Sequence, residues 1–97
     1  MPYFVFQGVD APDSAARRAG LRDAHRAYIR RDAIDCRTVL GGPLLTEDAQ
    51  MFSTLLVFEA EDRAAVVRFM RDDPYMRGGL FASVSVDQWL WGLGQPT

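Results

Sequence analysis

The sequence predicts one α+β domain in which two helices cover one face of a four-stranded antiparallel sheet. Strand-like and helix-like segments follow one another in the order strand, helix, strand, strand, helix, strand. The chain has 97 residues and 48% hydrophobic composition, which suits a single packed domain over residues 1–97 with its core in about 3–91. This order of elements is that of the ferredoxin-like split βαβ arrangement.

The first half of the chain predicts a strand, a long helix and a second strand. Residues 3–9 are an aromatic and β-branched run, and residues 13–31 carry apolar side chains at helical spacing. Residues 36–40 have the composition of a strand. The Gly-Gly-Pro step at residues 41–43 interrupts it and predicts an edge, a bulge or a bend, because proline cannot donate to a strand ladder.

The second half repeats the pattern as strand, helix and strand. After a polar loop at residues 46–50, residues 51–59 alternate between two apolar faces, which is typical of a strand. Residues 61–71 predict a helix that cannot continue through Pro74. Residues 80–91 predict the last strand. The second face of the sheet still carries large apolar side chains, so we expect a homodimer formed face to face.

The only histidine, His25, lies on the apolar side of the first predicted helix with Leu21, Tyr28 and Ile29. A carboxylate, Asp73, follows the second predicted helix. An imidazole has an ordinary pKa near ~6.5 and can exchange protons near neutrality, while a carboxylate bound to one ring nitrogen fixes the tautomer. Together the two residues predict a catalytic acid–base pair; a purely structural histidine and a turn-forming aspartate are the alternatives.

Three further residues are candidates for substrate binding. Ser53 interrupts an apolar strand face, and its hydroxyl either orients a substrate oxygen or bonds to the backbone. Tyr75 either points its hydroxyl into the pocket or packs its ring in the core with the hydroxyl in contact with water. Gly42 either brings backbone N–H groups near a ligand or forms a turn, and we expect a branched side chain there to clash.

All eleven basic residues are arginines, and several recur one turn apart on the first predicted helix. Such a stripe is typical of a solvated face, and an anion- or partner-binding face is the alternative. The net charge of −2 gives no support for a nucleic-acid partner. The residues of the stripe are Arg18, Arg22, Arg26 and Arg30.

The sequence also indicates which cofactors and locations to expect. It has one cysteine and one histidine, which do not favour a metal site, and it has no glycine-rich nucleotide motif. Residues 1–8 lack the pattern of a signal peptide, and no segment approaches a membrane span. We therefore expect no cofactor, no membrane partner and a cytoplasmic location.

Several local patterns resemble the YciI-like family, the YCII-related domain, over nearly the whole chain. The resemblance implies a ferredoxin-like subunit, a homodimer of the dimeric α/β-barrel type and an active site built on His25 and Asp73. The family includes a dehydrochlorinase, and related barrels include muconolactone isomerases and antibiotic-biosynthesis monooxygenases. The matching segments are Leu21-Arg22-Asp23-Ala24-His25, Gly41-Gly42-Pro43, Phe52-Ser53-Thr54, Asp73-Pro74-Tyr75 and Gly78-Gly79.

Two functions are therefore open from the sequence. The first is cofactor-independent acid–base chemistry on a small molecule, either an isomerisation or an elimination. The second is a non-catalytic module that binds a metabolite or another protein.

Overall fold

The computed structural model describes residues 1–95 of the chain. The strands form one antiparallel sheet, and the helices lie between them in sequence. In chain order the elements are β1 (Tyr3–Asp10), α1 (Ala15–Ile29), β2 (Cys36–Leu45), β3 (Met51–Ala60), α2 (Arg63–Arg71), α3 (Pro74–Arg77) and β4 (Phe81–Trp89).

The sheet has the strand order β2-β3-β1-β4, with every neighbouring pair antiparallel. This is the ferredoxin-like topology that the sequence predicts. Alternate residues of β1 face the helices: Phe4 lies opposite Phe58 of β3, and Phe6 lies opposite Leu56. All four are buried and join the buried side of α2 in one hydrophobic core.

The opposite face of the sheet carries the other residues of β1 and β3. Val5 and Val9 alternate with the core residues of β1 and are only partly buried, as is Leu55 of β3. The helices pack against the side of the sheet that carries Phe4. This holds for the core residues of α2 and for the residues of α1 and α3 that contact them. The face of the sheet that carries these apolar residues is therefore left without a helix, and polar residues such as Gln7 and Ser85 share it.

The second strand differs from the sequence prediction, which ended it at residue 40. β2 continues through the Gly-Gly-Pro step to Leu45, with a register shift between Thr38 and Leu40. Proline is tolerated at position 43 because β2 is an edge strand with a neighbour on one side only. The edge position predicted for the Gly-Gly-Pro step is therefore confirmed, whereas the register shifts lie on either side of the step, the second between Leu44 and Leu45.

Of the two glycines in this step, Gly41 has no room for a side chain, whereas Gly42 does. A Cβ atom on Gly41 would lie 2.5 Å from the carbonyl oxygen of Leu55 on β3, whereas a Cβ on Gly42 would meet nothing within 4 Å. The sequence prediction that a branched side chain clashes at Gly42 is therefore wrong, because the clash occurs one residue earlier, at Gly41. The sequence alone could not show which glycine of the pair faces its neighbouring strand.

A short helix that the sequence did not predict, α3, follows α2 directly. Asp73 has extended backbone angles and caps this helix, and Pro74 occupies its first turn. Proline is well suited to that position because its missing N–H would be unpaired there in any case. Across residues 1–95, the helices are too short or too polar to cross a membrane.

Candidate active site

His25 and Asp73, 48 residues apart in the sequence, are in direct contact. The Nδ1 atom of His25 lies 2.6 Å from Oδ1 of Asp73, and both side chains are buried. An ionised carboxylate can only accept, so with Asp73 ionised the N–H at Nδ1 donates this hydrogen bond. Nε2 makes no hydrogen bond within the described residues, which leaves it to exchange a proton.

The backbone of α3 holds the carboxylate of Asp73 in place. Its second oxygen, Oδ2, accepts hydrogen bonds from the backbone N–H groups of Tyr75, at 3.0 Å, and Met76, at 3.3 Å. The side chain is completely buried. Asp73 therefore has a structural role as the cap of α3 and contacts His25 at the same time.

Tyr75 forms one wall of the site by stacking on the imidazole. The two ring centroids are 3.9 Å apart and their planes differ by 15°, while the Phe81 ring meets Tyr75 edge-on. Burial raises the pKa of the Tyr75 phenol above its ordinary value, and the nearby charges of Arg18 and Arg22 oppose part of that rise. Tyr75 is therefore a neutral hydroxyl at physiological pH.

Arg18 is the largest departure from the sequence prediction, which placed it on a solvated face. It is 5% exposed, and its guanidinium makes two hydrogen bonds of 2.7 Å to the carboxylate of Asp10. It also donates to Oγ1 of Thr54 at 2.9 Å and lies over the Tyr75 ring. Burial alone would lower the pKa of Arg18, but the hydrogen bonds and charge of Asp10 outweigh it, so the pKa is raised.

A cavity of about 270 Å³ opens between α1 and the β2 edge of the sheet. Buried side chains of Arg18, His25 and Tyr75 form its inner part, and the exposed arginines of α1 and the Gly-Gly-Pro step form its mouth. No acidic side chain among the described residues lines it. The lining residues are Arg18, Arg22, His25, Arg26, Ile29, Arg30, Gly41, Gly42, Pro43, Met51, Thr54, Leu56 and Tyr75.

Of the residues predicted to bind substrate, Tyr75 and Gly42 line this cavity and Ser53 does not. Ser53 is completely buried, and its hydroxyl donates to the carbonyl of Gly8 at 2.8 Å. It alternates with Thr54 along β3, so the two side chains lie on opposite faces of the sheet. Thr54 is the β3 hydroxyl that reaches the cavity, which corrects the expectation for Ser53.

The spacing between Arg18 and His25 in the sequence indicates that Arg18 lies on the His25 side of α1. It lies seven residues, or about two helical turns, before His25, so both side chains project from the same side of α1. The acidic partner of Arg18 could not be found in this way. Asp10 ends β1, and only the folded sheet brings it to α1.

A model of the YCII-related domain family matches residues 1–90 of the chain. The chain belongs to this family. No functionally curated protein sequence matches it.

One solved member of the same structural type is similar over almost its whole length. The 5-chloro-2-hydroxyhydroquinone dehydrochlorinase (TftG) of Burkholderia phenoliruptrix AC1100, solved with 2,5-dihydroxybenzoquinone, is 33% identical. The alignment covers 93% of this chain and 95% of the dehydrochlorinase, with a TM-score of 0.80. This chain therefore shares the dimeric α/β-barrel type of fold with that dehydrochlorinase.

More distant structures share the fold alone. An antibiotic biosynthesis monooxygenase is 14% identical with a TM-score of 0.57, covering 92% of this chain and 96% of that one. Rv0793 from Mycobacterium tuberculosis is 19% identical with a TM-score of 0.57, and the two chains cover each other completely.

Proposed function

We propose that this YCII-related protein is a cofactor-independent enzyme that moves protons on a small molecule with His25 and Asp73. The observation that carries this proposal is the 2.6 Å contact between Nδ1 of His25 and Oδ1 of Asp73 beside the cavity. It fixes which ring nitrogen is protonated and leaves Nε2 to act as base and then as acid. Tyr75 keeps the imidazole plane in position by stacking on it.

The reaction best supported is the elimination of hydrogen chloride from a chlorinated hydroxyhydroquinone. The support is the 33% identity and shared fold with a dehydrochlorinase. In such a reaction a proton is delivered to the chlorinated ring carbon, the carbon–chlorine bond breaks, and its electron pair leaves with chloride. One ring hydroxyl gives a proton to the base, which replaces the proton delivered to carbon. A second ring hydroxyl releases its proton with chloride as hydrogen chloride, and the ring becomes a hydroxyquinone without an external oxidant. The delivery to carbon and the removal from a hydroxyl need one group that can give and accept a proton, as His25 can.

The buried polar side chains around His25 orient the substrate in this proposal. Arg18 and Thr54 line the cavity, and Arg18 is fixed by Asp10 on one side and by the Tyr75 ring on the other. Donors held in this way need no rearrangement when negative charge develops on a ring oxygen. Ile29 and Leu56 provide the apolar surface on which a single ring can rest.

We also propose that the protein forms a homodimer through the open face of its sheet. Val5, Val9 and Leu55 on that face are only partly covered in the single subunit. A second copy placed face to face would bury them, and a two-fold interface presents the same patch from both subunits. Sedimentation velocity is expected to show a dimer, and a stable monomer at micromolar concentration would contradict it.

The enzymatic proposal is tested with 5-chloro-2-hydroxyhydroquinone, the compound named for the solved relative. Purified protein is expected to release chloride and to produce a quinone absorbance band at the same rate. His25→Gln is expected to lower turnover by about a hundredfold or more, while Arg71→Gln, on the exposed side of α2, keeps full turnover. Turnover that His25→Gln leaves unchanged would refute the role of His25. Binding of the compound without any turnover would favour the binding-module alternative.

A further inference from the structure

Three arginines at the mouth of the cavity have no structural explanation. Arg22, Arg26 and Arg30 follow Arg18 at intervals of four residues along α1, and all three are exposed and line the cavity. Like charges at this spacing on a helix repel each other and destabilise it. Acidic partners or a bound anion would offset this repulsion.

The described residues do not supply acidic partners to the mouth. Arg22 and Arg26 make no ion pair or side-chain hydrogen bond within residues 1–95, and Arg30 donates to the backbone carbonyl of Arg26. The charge of Arg18 deeper in the cavity is already balanced by Asp10. The cavity is consequently electropositive in a chain whose net charge is −2.

The arginines lie within reach of the chemistry. Arg22 is three residues before His25, about one turn away on α1, and both Arg22 and Arg26 line the same cavity as His25. Burial raises the pKa of Tyr75 and the charge of Arg22 opposes part of that rise, consistent with both side chains lining one cavity. An anion held by these side chains would lie over the His25 end of the cavity.

We infer that the cavity selects single-ring aromatic or quinonoid anions, and that Arg22 and Arg26 bind the anionic oxygens. This inference rests on the proposed function, which places the reacting ring beside His25. It adds that the substrate is negatively charged. The volume of about 270 Å³ suits one ring with small substituents. Guanidinium groups suit the oxygens, because their planar donors can bind a carboxylate in pairs. An ionised hydroxyquinone presents its charge as a carboxylate does, shared between oxygens of one conjugated system.

Calorimetric binding of matched charged and uncharged rings tests the inference without relying on turnover. The probes are 2,5-dihydroxybenzoquinone, whose hydroxyls ionise, its dimethyl ether, which cannot ionise, and gentisate, which carries a true carboxylate. Both anions are expected to bind more tightly than the ether, and raising the salt concentration should weaken only their binding. Preference for one of the two anions over the other identifies which oxygen pattern the arginines recognise.

Variants at the mouth then assign the effect to particular side chains. Arg22→Gln and Arg26→Gln are each expected to weaken binding of the anions by about tenfold and to leave the ether unchanged. Arg26→Lys should recover part of the loss, and Arg71→Gln should cause none. Unchanged melting temperatures show that the variants are folded. Equal affinity for the quinone anion and its ether, or anion binding that the Gln variants leave unaltered, would overturn the inference.

The outcome is independent of that for the catalytic pair. His25→Gln is expected to retain arginine-dependent binding of the anions even though its turnover is lost. If His25 proves not to be catalytic, the dependence on Arg22 and Arg26 still stands or falls by the binding data alone.

Discussion

Asp73 contacts His25 with one carboxylate oxygen and caps helix α3 with the other. Oδ1 lies 2.6 Å from Nδ1 of the imidazole, and Oδ2 accepts from the backbone N–H of Tyr75 at 3.0 Å. The orientation of the carboxylate is therefore set by the Asp-Pro-Tyr segment itself. The same segment also supplies the Tyr75 ring that stacks on His25. A three-residue stretch thus fixes both the plane and the tautomer of a histidine on another helix.

Replacing Asp73 by asparagine is expected to reverse the tautomer of His25 while preserving the fold. Asparagine is as good an N-cap as aspartate, so its oxygen keeps the bonds to α3 and its NH₂ group faces Nδ1. The imidazole proton then moves to Nε2, which can no longer act as a base. Nitrogen-detected NMR of His25 is expected to show protonated Nδ1 in the wild type and protonated Nε2 in Asp73→Asn. The same protonated nitrogen in both proteins would contradict this.

Asp73→Ala is expected to damage stability much more than Asp73→Asn. Alanine removes the cap of α3 and leaves the buried Nδ1–H without an acceptor, at a cost of about 2–4 kcal/mol in the free energy of unfolding. The asparagine variant should stay within about 1 kcal/mol of the wild type. Urea denaturation followed by circular dichroism measures both, and equal midpoints for the two variants would argue against the double role of Asp73.

Arg18→Met is expected to be strongly destabilising. The side chains of Arg18 and Asp10 are only 6% and 9% exposed, and removal of one partner leaves the other without its counter-charge. We expect a loss of about 3–5 kcal/mol. Adding Asp10→Asn to Arg18→Met should restore part of that loss, because no buried charge then remains unpaired. Arg71→Met, at an exposed position, should change the stability by less than about 0.5 kcal/mol. A similar small change for Arg18→Met would mean that the guanidinium is not buried in solution.

Alanine substitution is expected to lower the stability of the protein at Gly41 and to leave it nearly unchanged at Gly42. Gly41→Ala brings a methyl group to within 2.5 Å of the Leu55 carbonyl and should cost about 1–3 kcal/mol, because one of the two strands must move. Gly42→Ala projects into open space and should leave the melting temperature nearly unchanged. Thermal melts of the two variants provide the comparison. A larger loss for Gly42→Ala would reverse the assignment.

Cys36 is expected to be inert toward thiol reagents in the native protein. It is 1% exposed, and burial together with the charge of Asp35 raises the pKa of its thiol to about 11. As the pH rises, the thiol ionises in the unfolded chain before it ionises in the folded protein. The contribution of Cys36 to the free energy of unfolding is therefore complete below the ordinary thiol pKa and is lost as the pH approaches about 11. Cys36→Ala should remove that part of the alkaline dependence of stability. Rapid native alkylation at neutral pH would show that the thiol is accessible.

The sequence predicted the fold well because the alternation of β1 and β3 and the helical spacing of α2 agree with the final packing. It also placed His25 and Asp73 as a pair, since the family pattern contains both. It did not show that Arg18 is buried, because an arginine on a helix is ordinarily solvated and its partner Asp10 is on a different element. The same limit applied to Ser53 and Gly42, whose roles depend on which side of a strand faces the cavity.

The most direct test of the His25–Asp73 unit is a double-mutant cycle on kcat, measured as chloride release from 5-chloro-2-hydroxyhydroquinone. His25→Ala and Asp73→Asn are each expected to lower kcat by about 100-fold to 10,000-fold. The double variant should be scarcely slower than His25→Ala alone, because Asp73 acts through the imidazole and coupled groups are not additive. Full activity in Asp73→Asn, or losses that multiply in the double variant, would contradict the account.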